Sequence, residues 1–348
     1  VNLPDRIWQQ QWKKPKPMEG KTVCVVRYGA FGDVIMLTAL LSHLKQLGYH
    51  VTMNMTPRAQ SVLRHNPNID KFLIQQDDEI PNEKLGEYWE NLSKGYDKFI
   101  NLSGSVEGGL LKIEGSKEFG WEHEVRHEKC NKNYYDEQFA IAGFPEITGR
   151  NGELFFTSLE HQLAKAFIKK PRRAKQFVVM WSLAGSSFHK NYPYTQLVCD
   201  WLLRDYNDIV FITVGDAVSV MLEWEHPRVK CRSDKWSIRQ ALLMTKYVDL
   251  VVGSETGILN GAGCYDTPKI VLLSHSSEEN LTKYWKNCSE LHASEYDTPC
   301  YPCHQLHYTL ESCPLHDKLK TPLCMANLKY EVVKNEIERH YKEWKNEQ

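Results

Sequence analysis

Apolar residues fall along this chain in two alternating rhythms. Short β-branched runs read as buried strands, and between them leucines and valines recur every three or four positions, the spacing of one helix face. Thr22–Val26 (TVCVV) is the first such run, and Arg27-Tyr28-Gly29-Ala30-Phe31-Gly32-Asp33 follows at once. Leu37, Leu40, Leu41 and Leu44 then repeat at helical spacing. Val51–Met55 predicts a second strand, with Pro57 at the first position of the next helix. Phe72–Ile74 and Lys98–Leu102 continue the strands. Strands alternating with helices imply βαβ units and a parallel sheet.

The rhythm lapses around 144–175, where Gly143-Phe144-Pro145, Gly149 and Gly152 punctuate the chain. A helix-like segment there ends in Lys169-Lys170-Pro171-Arg172-Arg173, read as a solvated charge run in an interdomain linker. A second series follows. Its strands are expected at Phe177–Trp181, Ile209–Val214, Leu250–Val252 and Ile270–Leu273, with helices from Pro193, over 236–246 and from Thr256. Met325–Glu347 is amphipathic through Leu328, Val332, Val333 and Ile337. The expected organisation is an arm at 1–20, an α/β domain at 21–150, a linker at 151–175, a second α/β domain at 176–325 and a helix at 326–348. Two Rossmann-like domains would face each other across a cleft, with ligands outside the carboxyl ends of the strands.

Composition narrows the classes without choosing among them. A chain of 348 residues fits two domains, and 42% apolar with 25% charged residues excludes a disordered or collagen-like polymer. Net charge is −1, which excludes a histone-like nucleic-acid binder but leaves room for a local basic face. There is no transmembrane-length apolar run, and the first twenty residues lack the apolar centre of a signal peptide. Six of the ten cysteines, Cys24, Cys130, Cys199, Cys231, Cys264 and Cys288, are scattered and read as reduced core residues. A reducing cytoplasm is the expected compartment.

Three loops carry candidate chemistry. Gly29-x-x-Gly32-Asp33 lies between a strand and a helix, where glycines admit a ligand close to the backbone and Asp33 is placed to act as an N-cap. It lacks the G-x-G-x-x-G spacing of a dinucleotide fingerprint, and a plain capped turn explains it equally well. Ser182-Leu183-Ala184-Gly185-Ser186-Ser187 follows a strand and precedes His189-Lys190-Asn191-Tyr192-Pro193. Its backbone N–H groups, hydroxyls and Lys190 suit a phosphate; a polar helix-capping loop is the alternative. Val251-Val252-Gly253-Ser254-Glu255-Thr256-Gly257 again joins a strand to a helix, which continues Ile258-Leu259-Asn260. There an acidic side chain can bind sugar hydroxyls.

In this order the three loops resemble the bacterial heptosyltransferase family of inverting glycosyltransferases. RYGAFGDVIMLTALLSHLKQLG is similar to its first strand–turn–helix, LAGSSFHKNYP to its Gly-Ala-Ser loop with a downstream Lys, and GSETGILNGAGCYDTPKIVLL to its D-[ST]-G-x-x-H segment. The late PCYPC and LCMANLKYEVV pieces have parallels in many members, and the resemblance spans roughly 22–340. It implies a GT-B fold with the acceptor on the N-terminal domain, a nucleotide-sugar donor on the C-terminal domain, and no metal or other cofactor in catalysis. Carried over, Asp33 matches the catalytic base and Lys190 the lysine on the donor phosphates. Glu255, Thr256 and Gly257 fall where the family's Asp-Ser/Thr-Gly binds the donor. Read from the loops themselves, Gly185, Ser186, Ser187, Gly215 and Asn260 are further donor-binding candidates and Gly29, Gly32 and Ser103 acceptor-side ones. Glu107, in the same loop as Ser103, is also on the acceptor side and a second-choice base, with a flexible glycine loop as the alternative there. Two residues depart from the pattern: Glu255 is one methylene longer than the usual aspartate, and Asn260 replaces a histidine. The acceptor is expected to be lipopolysaccharide or another glycan. The alternatives are a hydroxylated base in DNA and, in another class, a nucleotide-sugar binder without activity.

Other signals compete. His123-Glu124-Val125-Arg126-His127 matches H-E-x-x-H, but its apolar face is too thin for a zinc-protease helix, so a polar surface segment of the first domain is expected. Cys300, Cys303, Cys313 and Cys324 could hold one structural zinc, with His304, His307 and His316 as alternative ligands; disulfides or free thiols would give the same letters. Trp8 and Trp12 beside Lys13, Lys14 and Lys16 suit docking on the parent domain, a membrane surface or nucleic acid.

Overall fold

A computed structural model describes residues 20–76, 79–105, 110, 116–306 and 313–348. The N-terminal arm with Trp8 and Trp12, the candidate acceptor residue Glu107 and His307 lie outside the described residues. The chain divides into two compact units. The first holds the residues up to Ser105 together with Tyr135–Phe155; the second holds those between 106 and Tyr134 together with Phe156–Gln348.

In the first unit, strands β1 (Thr22–Val26), β2 (His50–Met55), β3 (Lys71–Ile74) and β4 (Lys98–Asn101) form a parallel sheet in the order β3-β2-β1-β4. Every residue of β1 is buried, which is why its run is apolar throughout rather than alternating. The leucine-rich stretch after the first turn is two helices, α1 (Phe31–Met36) and α2 (Thr38–Gln46), joined at Leu37. Val34, Ile35, Leu37, Leu40, Leu41 and Leu44 are buried on one side. Helices α3 (Pro57–Leu63) and α4 (Leu85–Ser93) complete the unit's first half. Pro57 is the first residue of α3, as expected, and Thr56 caps the helix by accepting the Ala59 N–H.

Residues 116–134, including helix α5 (His123–Cys130), pack with the second unit, and the chain returns to the first within α6 (Tyr134–Ile141). The H-E-x-x-H segment therefore belongs to the second unit and not the first. Residues 151–155 stay with the first unit, where the Glu153 N–H donates to Thr38 Oγ1 at 2.7 Å. The expected linker then becomes helix α7 (Ser158–Arg173).

The second unit carries β5 (Phe177–Ser182), β6 (Ile209–Val214), β7 (Val229–Cys231), β8 (Leu250–Ser254), β9 (Lys269–Leu272) and β10 (Cys288–Leu291). They form one parallel sheet in the order β10-β9-β8-β5-β6-β7. That is the doubly wound order, with the switch point between β5 and β8. Helices α8 (Thr195–Asp205), α9 (Ile238–Met244), α10 (Gly257–Gly263), α11 (Leu323–Ala326) and α12 (Tyr330–Asn346) follow. One core joins the apolar sides of β5, β6, β8 and β9 to Val198, Leu202, Val333, Ile337 and Tyr341 of α8 and α12. The C-terminal helix is thus part of this unit's core.

The charge run at the end of α7 is not wholly solvated. Arg172 pairs with Asp249 and donates to the Tyr247 carbonyl at 2.9 Å, tying the helix to the start of β8. At its other end Thr157 caps α7, while Glu160 returns to the Thr157 N–H at 2.7 Å and grips Arg239 of α9 through Nε at 2.6 Å and Nη2 at 2.9 Å. The hydrogen bond from Arg239 is the leading stabiliser of ionised Glu160 and brings its carboxyl down to about 2, from an ordinary 4.5. Because the folded value is depressed, this contribution is complete above about pH 4.5 and is lost as pH falls toward 2. Glu160→Gln is expected to destabilise the second unit by about 2 kcal/mol at pH 7. Denaturant melts should show that deficit shrinking at acid pH.

Candidate functional site

In the first unit β1 and β4 are neighbours at the point where the strand order reverses, so the loops after them meet. Arg27 ends the apolar β1 run and is fully buried, a placement that demands partners for its charge. Its Nη1 donates to the Leu102 carbonyl at 2.9 Å and its Nη2 lies 3.3 Å from Asp33 Oδ1. The next residue, Tyr28, donates its N–H to Ser103 Oγ at 3.1 Å and its hydroxyl to Asn54 at 2.8 Å. Gly29, Asp33 and Ser103 are therefore brought to one place.

Asp33 is not the N-cap expected from sequence. Ala30 occupies that position, and Asp33 sits three residues on, its Oδ2 accepting the Ala30 N–H at 2.8 Å. Gly29 makes room for this: a β-carbon there would stand 2.9 Å from Asp33 Oδ2 and 3.2 Å from the Arg27 guanidinium carbon. The carboxylate keeps 16% exposure while a buried guanidinium stabilises its negative charge. Arg27 was missed in sequence. The available signal was a charged residue closing a strand buried on both faces.

In the second unit the switch point lies between β5 and β8, and Ser182 Oγ of β5 is 3.1 Å from Thr256 Oγ1 beyond β8. Gly185 lets Lys190 fold back across it, since an added β-carbon would meet Lys190 Cδ at 2.6 Å and its Cβ at 3.0 Å. Lys190 is 9% exposed, and its carbonyl accepts from Ser254 Oγ at 2.6 Å. Ser186 is exposed, whereas Ser187 is buried with its Oγ lacking a partner. Thr256 caps α10 by accepting the Leu259 N–H, and Gly257 is the first helical residue. Asn260 Nδ2 donates to the Thr256 carbonyl at 3.0 Å; its buried Oδ1 has no partner. Gly215, after β6, is held for packing reasons as well, because a β-carbon would stand 2.2 Å from Ser219 Oγ. Glu255 is 5% exposed and its oxygens accept from Ser274, His275 and Ser276.

The H-E-x-x-H histidines have a structural use in the second unit. His127 Nδ1 is 3.0 Å from His304 Nε2, and His304 is fully buried beside Asn280. Burial, with His127, His123 and Arg126 nearby, drives the His304 imidazole down to about 3, leaving it neutral. All ten cysteines carry free thiols. Burial pushes Cys303 up to about 12 and Cys313 up to about 11, and raises Cys300 and Cys324. Among the described residues no three His, Cys, Asp or Glu side chains are arranged to hold a metal ion. Nor is any helix among them long and apolar enough to cross a membrane.

No family model matches the chain. In sequence it is 20% identical over 285 residues to lipopolysaccharide heptosyltransferase 1 of Campylobacter coli, covering 72% of this chain and 83% of that protein. In structure it is similar to a glycosyl transferase family 9 protein from Veillonella parvula, with TM-score 0.66, 14% identity, and 93% of this chain and 98% of the other covered. ADP-heptose LPS heptosyltransferase II of E. coli gives 0.62 at 12% identity, covering 92% and 98%. TibC from enterotoxigenic E. coli, an iron-containing dodecameric glycosyltransferase, gives 0.60 at 12%, covering 94% and 78%. The chain thus has the GT-B fold, with two Rossmann-like domains. In fold and in sequence it is heptosyltransferase-like.

The iron of TibC invites a test of fit against the late cysteines. Burial and mutual repulsion raise their thiols, and among the described residues no three side chains are arranged to hold an ion. Thiol titration without reductant should count ten reactive groups after unfolding. In the native protein at pH 8 the buried Cys24, Cys199 and Cys324 should react far more slowly than the partly exposed ones. A count below ten would show pairing or capping by metal, which elemental analysis would separate.

Proposed function

We propose that this chain is an inverting glycosyltransferase that moves a sugar from a nucleoside-diphosphate sugar to an acceptor hydroxyl without a metal in the transfer step. The observation that carries the reading is the double use of switch points. One unit presents the carboxylate of Asp33 at the ends of β1 and β4; the other presents Lys190 and a row of buried polar groups at the ends of β5 and β8. The similarity to lipopolysaccharide heptosyltransferase 1 supports the same class, and supports a glycan acceptor over a DNA base.

In this reading the acceptor hydroxyl attacks the anomeric carbon from the face opposite the leaving diphosphate. Asp33 takes the hydroxyl proton as general base, a role worth roughly 10²–10⁴-fold. Gly29, Gly32 and Ser103 line the acceptor side, with Glu107 beyond the described residues as a further candidate. Lys190 faces the departing diphosphate as a fixed positive charge. Gly185, Ser186, Ser187, Gly215, Glu255, Thr256, Gly257 and Asn260 shape the remainder of the donor site. The unpartnered Ser187 Oγ and Asn260 Oδ1 are suited to it, since buried polar atoms ordinarily have partners and a ligand would supply them.

Donor identity is read by a thermal-shift screen across UDP-, GDP-, ADP- and CDP-sugars, where a specific ligand raises the melting temperature by mass action. Asp33→Asn keeps an acceptor for the Ala30 N–H but removes the charge opposite Arg27. It should lower kcat by roughly 10²–10⁴-fold with donor affinity retained, and destabilise the first unit by about 2 kcal/mol. Near-normal turnover would remove Asp33 from its role. Lys190→Ala should weaken donor binding by roughly tenfold or more, because a hydrogen bond to a charged group contributes about 1.5–3 kcal/mol. Calorimetric titration reads this directly, and transfer should persist in a chelator. A melting temperature unmoved by every nucleotide sugar would sink the proposal.

A further inference from the structure

Glu255 is the residue where this chain departs from the aspartate of the family it resembles, and the structure uses its length. Residues 274–276 follow β9, the strand beside β8. Glu255 Oε1 accepts three successive backbone N–H groups, from Ser274 at 2.7 Å, His275 at 3.1 Å and Ser276 at 3.1 Å. Oε2 accepts the Ser274 hydroxyl at 2.7 Å. Consecutive amides converging on one oxygen form an anion nest, and here the protein fills that nest with its own carboxylate.

The nest is wired to the lysine loop. The His275 ring, 3% exposed, places Nδ1 3.4 Å from Glu255 Oε1, 3.2 Å from Ser274 Oγ and 3.3 Å from His189 Nε2. The two imidazoles pack edge to face with centroids 4.9 Å apart. His189 immediately precedes Lys190 in the short turn Phe188–Lys190, and Ser254, immediately before Glu255, donates to the Lys190 carbonyl at 2.6 Å. The loops after β5, β8 and β9 are therefore cross-tied, with Glu255 at the join.

Building on the donor site proposed above, we infer that Glu255 is a positioning residue: it clamps the turn 274–276 and, through His275 and His189, sets Lys190 toward the donor diphosphate, while its carboxylate makes no contact with the sugar. The inference explains the glutamate. An aspartate falls short by one carbon–carbon bond, about 1.5 Å, which carries contacts of 2.7–3.1 Å past hydrogen-bonding range.

The test compares E255D, E255Q and H275A with the wild type, alone and with K190A. A clamp needs length, so E255D should raise the donor Kd roughly tenfold and do at least several-fold more damage than E255Q, which keeps the reach and an acceptor oxygen. A carboxylate bound to donor hydroxyls would give the reverse order. H275A should follow E255D. If Glu255 acts through Lys190, E255D should cost little further affinity once Lys190 is alanine, a non-additivity that general destabilisation does not produce. Hydrogen exchange on the donor-free protein reads the clamp independently: the amides of Ser274, His275 and Ser276 should lose protection in E255D more than in E255Q. Donor affinity unchanged in E255D, or fully additive with K190A, overturns the inference. Failure of the wild type to bind any nucleotide sugar overturns the functional reading instead, while the exchange ranking still judges the clamp.

Discussion

Parallel strands covered on both faces leave a sheet one place to do chemistry. Their side chains are spent on the two cores, as the unbroken burial of β1, β5, β6 and β8 shows. Their amino ends receive the returning helices, so only the loops at the carboxyl ends are free to vary. Where the order reverses, two such loops diverge and leave a crevice. In the first unit that point is between β1 and β4, in the second between β5 and β8. Arg27, Gly29, Asp33 and Ser103 gather at one, and Ser182, Gly185, Lys190, Glu255 and Thr256 at the other. The strand orders alone account for why residues so far apart in sequence meet.

At both points charge is carried into the protein, and this couples stability to function. Arg27 is fully buried, and Asp33 is among the groups that satisfy it. A buried ion tolerates neither the loss of its partner nor much rearrangement, because desolvation of a lone charge costs several kcal/mol. The same contact that orients Asp33 therefore resists its removal. Glu255 presents the matching case with neutral donors: a buried carboxylate held by backbone amides that cannot retreat. Polar groups so held are rigid in a way that surface charges are not.

Much of this was legible in the sequence because each element announces itself by period or by punctuation. The strands at 22–26, 51–55, 177–181 and 209–214 are visible as apolar runs, and the glycines at 29, 185 and 215 mark close approaches that the structure explains through Asp33, Lys190 and Ser219. What was not legible depends on partners far along the chain. Strand β7 is three residues long and β10 has no fully buried residue, so neither carries a strong pattern. The segment 151–175 reads as a linker because Gly152, the glycines just before it and its basic run are locally loop-like; helix α7 is fixed instead by Thr157, Glu160, Arg172 and their partners Arg239 and Asp249. Arg27 and His275 escaped notice for the same reason, since burial of a polar residue is a property of the folded neighbourhood.

The two sides of the proposed reaction differ in how firmly they are built. Around Asp33 the chain is half-open, with Tyr28, Gly29, Phe31, Gly32 and Ser103 all partly exposed and Ala30 and Gly104 exposed. Around Lys190 it is more closed: His189, Ser254, Glu255, Thr256, Asn260, Ser274, His275 and Ser276 are all buried, although Ser186 and Phe188 reach the surface. A nucleotide sugar brings a diphosphate of constant shape, and a site prearranged for it loses little entropy on binding and no reorganisation energy as negative charge develops. An acceptor is a more varied object, and loops with fewer buried contacts can adapt to it at small cost. The contrast in burial is the one expected if the second unit holds the constant partner and the first the variable one.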